Sequence, residues 1–100
     1  TAHPRIIVLR MVQMRLRKPI NYSTHAKTAI RERELNEKWV ERAVRAPLWS
    51  ERDPDNPVVE RRYQQIAERD GRILRVFVVE TDEEIRVITA FLDRRARRSG

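Results

Sequence analysis

Cysteine is absent from this 100-residue chain, and its only two histidines are His3 and His25. Without cysteine the chain can form neither a disulfide framework nor a thiolate metal site. The two histidines are too far apart in the sequence to suggest a zinc pair. The two glycines form no glycine-rich phosphate loop, and neither a nucleophile elbow nor a cluster of metal ligands is present. We therefore expect no metal and no cofactor.

Long hydrophobic runs are also missing. The longest aliphatic run near the start of the sequence is Ile6 to Leu9, which is much shorter than the apolar core of a signal peptide or a membrane span. By elimination we expect a cytoplasmic protein that has no contact with a membrane. The chain length corresponds to one domain with a modest hydrophobic core.

Basic residues are in excess, with a formal net charge of +7 at pH 7, but they are unevenly distributed. Residues 1–22 contain five basic side chains and no acidic one, and residues 93–100 contain four arginines and one aspartate. Residues 23–92 carry 13 basic and 14 acidic side chains. Basic ends can neutralise phosphates without reading a sequence, can remain solvated, or can bind an acidic partner. Charge alone leaves these three interpretations open.

Two short helices are predicted in the first half of the domain. The capping residues Asn21 to Thr24 precede a helical stretch from about His25 to Arg33. Asn36 is a natural N-cap for a second helix, Glu37 to Arg45, which Pro47 ends. Both helices are short and expose a polar face, so they need a sheet to pack against.

The rest of the pattern predicts strands. Alternating apolar residues predict an extra strand, or else a basic extension, over residues 1–17, and residues 48–57 are predicted to be an exposed loop. Three strands follow, at Val58 to Arg69, Ile73 to Glu80 and Ile85 to Leu92. We predict an α+β fold of strand, helix, helix and a three-stranded antiparallel meander, with the helices on one face of the sheet. This domain is expected over residues 18–92, with an arginine-rich tail over residues 93–100.

The turns predict which side chains share a face of the sheet. A two-residue turn at Asp70-Gly71 pairs Tyr63 with Val78, and the next turn pairs Val78 with Val87. One predicted face is then apolar and lies under the helices; it carries Tyr63, Leu74, Val76, Val78, Ile85, Val87 and Phe91. The opposite predicted face carries Arg62, Gln64, Arg75, Phe77 and Arg86, together with Ile66, Ile73, Val79, Ile88, Ala90 and Leu92.

Arginine combined with an aromatic ring on a helix-free face is suited to single-stranded nucleic acid. The alternative is that the arginines only lie over apolar neighbours and keep their charges in water. The apolar residues on that face also suggest a cover, which residues 1–17, a second copy of the chain or a partner protein could each provide.

Two segments of the chain, His25 to Pro47 and Arg61 to Phe91, contain short residue motifs in the order and spacing of a known protein family. The motifs are His25-Ala26, Arg31-Glu32-Arg33, Val40 to Pro47, Leu74-Arg75-Val76 and Val87-Ile88-Thr89. In this order and spacing, residues 20–92 resemble a bacterial domain-of-unknown-function family, family 4258. The closing hairpin with its arginine-rich tail is similar to the end of BrnT-type toxins. Two positions depart from the pattern: Glu34 stands where the family usually has glycine, and Ala29 where a basic residue is common.

The resemblance implies a RelE-like toxin fold, and with it RNA and an antitoxin protein as partners. Ribonucleases of this kind need a group that moves a proton and cations that stabilise charge on the phosphate, but no metal. Histidine and arginine suit these two tasks. The candidate catalytic residues are His25, Arg75 and Arg86, and the candidate RNA-binding residues are Lys27, Arg62, Gln64, Phe77, Arg94 and Arg95.

The function expected on this basis is a toxin-like, metal-independent endoribonuclease, or an RNA-binding protein of a toxin–antitoxin pair. The alternative is a non-catalytic protein-binding module or a homodimer of the same fold. His25 can instead fix the entrance of the first helix, and Lys27 can belong to a solvated stripe with Arg31. Sequence-specific DNA binding is less favoured, because the two short helices lack an obvious recognition face.

Overall fold

Two helices pack on one face of a five-stranded mixed sheet in the computed structural model, which describes residues 18–93. The elements, in chain order, are β1 (Ile20–Tyr22), α1 (Thr24–Glu32), α2 (Glu37–Arg45), β2 (Trp49–Arg52), β3 (Glu60–Ile66), β4 (Arg72–Glu80) and β5 (Ile85–Asp93). The strand order is β1-β5-β4-β3-β2; β1 runs parallel to β5, and all other neighbours are antiparallel. The predicted α+β class is confirmed. The predicted extension over residues 1–17 and the tail after Asp93 lie outside the described residues.

Both helices begin at side-chain caps. The Ser23 hydroxyl accepts a hydrogen bond from the Ala26 N–H at 3.0 Å and donates one to the Ile88 carbonyl in β5 at 3.0 Å. The Asn36 side chain accepts from the Lys38 N–H at 2.8 Å, which confirms the predicted cap. The predicted bounds of α2 are correct, whereas α1 begins and ends one residue earlier than predicted.

The turn between the helices has a residue in the left-handed conformation. Glu34 has a φ of 54°. The N–H of Glu34 donates to the Arg31 carbonyl at 3.2 Å, and the N–H of Leu35 donates to the Ile30 carbonyl at 2.9 Å. These two bonds form a Schellman motif, in which glycine is the usual residue at the left-handed position.

The turn between β3 and β4 is longer than predicted, and this changes the register. A 3₁₀ turn at Ala67–Arg69 precedes Asp70 and Gly71, which both have positive φ. Tyr63 therefore pairs with Arg75 and not with Val78. The shift is three residues, an odd number, so β3 presents the opposite set of side chains to the helices from the set predicted.

A second deviation lies in the β4–β5 hairpin. The predicted pair of Val78 and Val87 is correct, but an irregularity at Phe77/Val78 shifts the remaining pairs by one, so that Phe77 pairs with Thr89. Such a bulge moves the side chains of the following β5 residues to the opposite face of the sheet from the one predicted. Phe91, predicted under the helices, therefore lies on the same face as Arg75, its partner.

The core lies between the helices and one face of the sheet. Its helical members are Ala26, Ile30, Leu35, Val40, Ala43 and Val44, and its strand members are Ile66, Leu74, Val76, Val78, Ile85, Val87 and Ala90. Full burial of one such aliphatic side chain contributes about 1.5–3 kcal/mol. Along β4 the core members alternate in sequence, and along β5 they do so apart from the bulge after Val87. The side chains between them on β4 therefore point to the other face, where neither helix packs.

Residues 48–57 are only partly the loop that was predicted. Trp49–Arg52 form β2, which pairs antiparallel with β3 at the edge of the sheet. Pro47 and Pro54 flank this strand, so it remains four residues long. A short, charged edge strand resists pairing with other chains.

Candidate functional site

The helix-free face of the sheet, here named the open face, carries the residues that alternate with the core residues. They are Trp49 and Glu51 from β2, Arg61, Tyr63 and Gln65 from β3, Ile73, Arg75, Phe77 and Val79 from β4, and Arg86, Thr89 and Phe91 from β5. Among the described elements, none packs across this face. Arginine and aromatic side chains occupy most of its centre.

One row of side chains crosses four strands of the open face. Trp49, Tyr63, Arg75 and Phe91 are successive cross-strand partners. The Trp49 and Tyr63 rings stack with their centroids 4.4 Å apart and an interplanar angle of 7°. The Arg75 guanidinium carbon lies 5.3 Å from the Tyr63 centroid and 5.4 Å from the Phe91 centroid. Cross-strand pairs and cation–π contacts of this kind hold each side chain in a defined position.

A second group adjoins this row. The ring centroids of Phe77 and Phe91 are 5.9 Å apart, and the ring planes are tilted by 32°. The Arg61 guanidinium carbon lies 5.5 Å from the Phe77 centroid. The Asp53 carboxylate accepts hydrogen bonds from Arg61 Nε at 3.2 Å and Nη2 at 3.1 Å. The N–H of Asp55 and the side chain of Arg61 hold the pKa of Asp53 below its ordinary value, so this carboxylate stays charged near neutral pH.

Arg33 extends the open face beyond the edge of β5. It follows the last turn of α1, and its Nη1 donates to the Ala90 carbonyl at 3.0 Å. Its guanidinium carbon lies 6.0 Å from the Phe91 centroid. Phe91 is therefore contacted by two guanidinium groups, those of Arg33 and Arg75.

The two predicted arginines on the open face differ in their availability. Arg75 forms an ion pair with Asp93, and its side chain is 21% exposed. Its Nε is buried and has no hydrogen-bond partner. Arg86 is exposed, and no ion pair of Arg86 is found within residues 18–93. Of these two cations, Arg86 is the one that a phosphate can approach without displacing a carboxylate.

Tyr63 supports the row from within the protein. It is only 1% exposed, so it cannot serve as a stacking surface for a ligand. Burial raises the pKa of Tyr63; the positive charge of Arg75 opposes that rise, and Glu51 adds to it. The phenol therefore remains protonated at neutral pH.

Arg62 was predicted on the open face, and this prediction is wrong. Because of the register shift, Arg62 points to the helix side, where its side chain is 11% exposed. It donates to Glu60 at 2.5 Å, to Glu80 at 2.6 Å and to the Val44 carbonyl in α2 at 2.8 Å. Burial lowers the pKa of Arg62, but its hydrogen bonds to Glu80 and Glu60 raise it above the ordinary value. Arg62 is thus held by two carboxylates and is unsuited to binding a phosphate.

The Arg62 ion cluster borders a polar cleft of about 370 Å³. Lys18 Nζ donates to Glu80 at 2.8 Å, and the hydrogen bonds from Lys18 and Arg62 hold the pKa of Glu80 below its ordinary value. The cleft also contains Arg52 and Asp82, so three basic and three acidic side chains line it and their charges balance. This arrangement favours a structural role that joins β3, β4 and α2.

Of the remaining predicted residues that the structure describes, only Phe77 lies on the open face. Gln64 is on the helix side, contrary to prediction, where its Nε2 donates to the Ala46 carbonyl at 2.8 Å. His25 and Lys27 are exposed on α1, and no contact joins His25 to Arg75 or Arg86 among the described residues. Phe77 is half-buried on the open face, as predicted. Arg94 and Arg95 lie outside the described residues.

Sequence reasoning missed several residues on the open face or beside it: Arg33, Trp49, Asp53, Arg61, Tyr63 and Phe91. Trp49 gave one usable signal, because a tryptophan inside an otherwise polar segment indicates packing. The placement of Arg61 and Tyr63 depends on the length of the β3–β4 turn, and that of Phe91 on the β4–β5 bulge; the sequence contained no clear marker for either. Arg33 and Asp53 meet this face only through contacts between distant parts of the chain or between a loop and a strand.

Known proteins provide a match at the level of the domain family. The profile of the family described as "Domain of unknown function (DUF4258)" matches residues 22–92. Among curated proteins and solved structures, none matches the chain significantly. Within residues 18–93, neither helix is long and apolar enough to cross a membrane, and no group of three or more His, Cys, Asp or Glu side chains is arranged to hold a metal ion.

Proposed function

The chain belongs to the DUF4258 family, and on that premise we propose that it is an RNA-binding protein that holds single-stranded RNA on its open face. The observation that carries the proposal is the pair of neighbouring rings Phe77 and Phe91, of which Phe77 is contacted by one guanidinium group and Phe91 by two. Unstacked bases bind to aromatic rings and to the planes of arginine side chains.

The charge distribution supports the same proposal. Residues 18–93 carry 14 basic and 15 acidic side chains, whereas the residues outside this range contribute eight basic side chains and no acidic one. The basic ends would supply affinity for phosphates that falls with salt, and the open face would supply the stacking. Arg86, exposed on that face, would contact the RNA backbone.

The resemblance to RelE- and BrnT-type toxins extends the proposal to a biological role. It implies that the RNA is messenger RNA and that an antitoxin protein covers the open face when the pair is assembled. For cleavage, Arg75 and Arg86 are the proposed cations, and His25 is the proposed proton-transfer group. Binding is the better supported part, since His25 is on α1 and lacks a described contact with either arginine.

Binding is tested by fluorescence anisotropy of a labelled single-stranded RNA, over a range of salt concentrations. The decisive variant is Phe77→Leu, because it removes the π face and leaves the net charge unchanged. We expect about tenfold weaker binding, since one stacked base contributes about 1–3 kcal/mol. Trp39→Leu is the matched control: Trp39 lies on α2, on the other side of the sheet, where its Nε1 donates to Glu68.

If Phe77→Leu binds RNA as tightly as the unsubstituted chain, and the affinity depends only on the salt concentration, then all binding comes from the basic ends. That result would reject the open face as the RNA-binding surface.

Cleavage is tested by expressing the unsubstituted chain in bacteria, in parallel with Arg86→Ala and Arg31→Ala. These variants remove one exposed charge on the open face and on α1, respectively. Growth arrest and RNA cleavage that only Arg86→Ala abolishes would support an enzyme. Absence of both effects from the unsubstituted chain would favour a binding protein.

A second candidate function is a non-catalytic protein-binding module. It is favoured by the ion pairs of Arg61 with Asp53 and of Arg75 with Asp93, which leave much of the open face neutral. A half-buried, neutral and partly aromatic surface is typical of the centre of a protein interface. Sedimentation of the purified chain would detect a homodimer, and its disruption by Arg86→Ala or Phe77→Leu would locate the interface on the open face.

A further inference from the structure

Asp53 connects the loop after β2 to the open face. One oxygen, Oδ1, accepts hydrogen bonds from the N–H groups of Asp55 at 2.8 Å and Asn56 at 3.1 Å. The other oxygen, Oδ2, accepts from Nε and Nη2 of Arg61. Both oxygens of the Asp53 carboxylate therefore accept hydrogen bonds, one from the loop backbone and one from Arg61. The fold of the loop thus determines where the Arg61 guanidinium lies.

Arg61 is held over Phe77 as a result. Its guanidinium carbon is 5.5 Å from the ring centroid, and its side chain keeps 21% of its surface exposed. An arginine side chain loses much rotamer entropy when it is ordered. Because Asp53 and Phe77 have already ordered Arg61, a ligand that stacks on the exposed side of the guanidinium does not have to supply that free energy.

We propose that Asp53 is a positioning residue that makes Arg61 a rigid platform for a nucleobase of single-stranded RNA. The inference rests on the proposed function and adds to it one base-binding position, formed by Arg61, which lies over the Phe77 ring and is held there by hydrogen bonds to Asp53. Planar bases stack on arginine planes as they do on aromatic rings.

If Asp53 positions Arg61, removal of the Asp53 charge changes the RNA affinity in the opposite direction from that expected of electrostatics alone. RNA is a polyanion, so the removal of a negative charge from its binding surface strengthens binding if charge alone matters. If Asp53 positions Arg61, the removal of the Asp53 charge weakens binding instead, because Arg61 becomes mobile. The sign of the change therefore distinguishes the two roles.

The test compares Asp53→Asn with Asp55→Asn in the full chain, by anisotropy of the same labelled single-stranded RNA. Asparagine forms this type of turn as readily as aspartate, so Asp53→Asn preserves the loop and removes only the charged partner of Arg61. Asp55 is exposed in the same loop, and Asp55→Asn removes the same charge from a side chain that does not contact Arg61. We expect about fivefold weaker binding for Asp53→Asn and equal or slightly tighter binding for Asp55→Asn.

A double variant shows whether Asp53 acts through Arg61. Asp53→Asn added to Arg61→Gln should weaken binding no further, and the NMR signal of the Arg61 Nε–H should broaden or shift in Asp53→Asn alone. Equal or tighter binding by Asp53→Asn, or a loss that adds to that of Arg61→Gln, overturns the inference. If Phe77→Leu does not weaken binding, the proposed function itself fails, and that result is obtained independently of Asp53.

Discussion

Replacement of Arg62 by methionine should strongly destabilise the fold, because Arg62 joins three elements on the helix side. Its guanidinium donates to Glu60, Glu80 and the Val44 carbonyl. Methionine retains an apolar side chain of similar length, so the substitution removes the charge and the hydrogen bonds and leaves most of the packing.

The magnitude follows from what remains after the substitution. Loss of one partner of a fully buried ion pair costs about 3–5 kcal/mol. Glu60 and Glu80 are 31% and 37% exposed, so water can partly replace the lost partner and the cost per carboxylate is smaller. The Val44 carbonyl loses a charged donor, and hydrogen bonds to charged groups contribute about 1.5–3 kcal/mol. We expect the free energy of unfolding to fall by about 2–3 kcal/mol.

The assay is urea unfolding at pH 7, followed by circular dichroism. A double-mutant cycle with Glu80→Gln should give a coupling energy of about 1 kcal/mol, since the pair is in direct contact but only partly buried. Arg42→Met is the control, because Arg42 is exposed on α2. A loss below about 0.5 kcal/mol for Arg62→Met, or no coupling to Glu80, would show that surrounding water already compensates for the cluster and would refute the reasoning.

Two further predictions concern Glu34 and Glu80. Glu34→Gly should raise the free energy of unfolding by about 0.5–1 kcal/mol. The left-handed conformation at position 34 costs a residue with a side chain about 1–2 kcal/mol, and the greater backbone entropy of glycine in the unfolded chain offsets part of the gain from removing that cost. Glu34→Ala keeps the Cβ and should show no such gain in urea unfolding. Lys18 and Arg62 lower the folded pKa of Glu80, so its contribution to stability is complete above the unfolded pKa of about 4.3 and is lost as the pH falls through the lower, folded value. The free energy of unfolding should therefore fall more steeply between pH 5 and about pH 3 in the unsubstituted chain than in Glu80→Gln, and parallel curves would contradict the prediction.

The helical part of the fold followed from local signals. Asn36 and Pro47 delimit α2 by capping and by steric exclusion, which act within a few residues of each helix end. The glycine expected at position 34 from the family resemblance also has a local explanation, since that position has a φ of 54°.

The candidate site did not follow from local signals alone. The Asp70-Gly71 pair indicated a turn, and both residues do have positive φ. However, the turn also includes the 3₁₀ segment Ala67–Arg69, and this length decided which β3 residues face the helices. Arg62 and Arg61 are adjacent in sequence, yet one is held in an ion cluster on the helix side and the other lies on the open face.

By itself, the sequence determined the α+β class, the positions of the helices and the concentration of excess positive charge at the two ends, because these depend on composition and on interactions between residues close in the chain. Only the tertiary structure decided which arginines meet which aromatic rings. Side chains alternate between the faces of a strand, so a shift of an odd number of residues exchanges the two faces, and that shift is determined by turns and bulges that form only when the strands pack together.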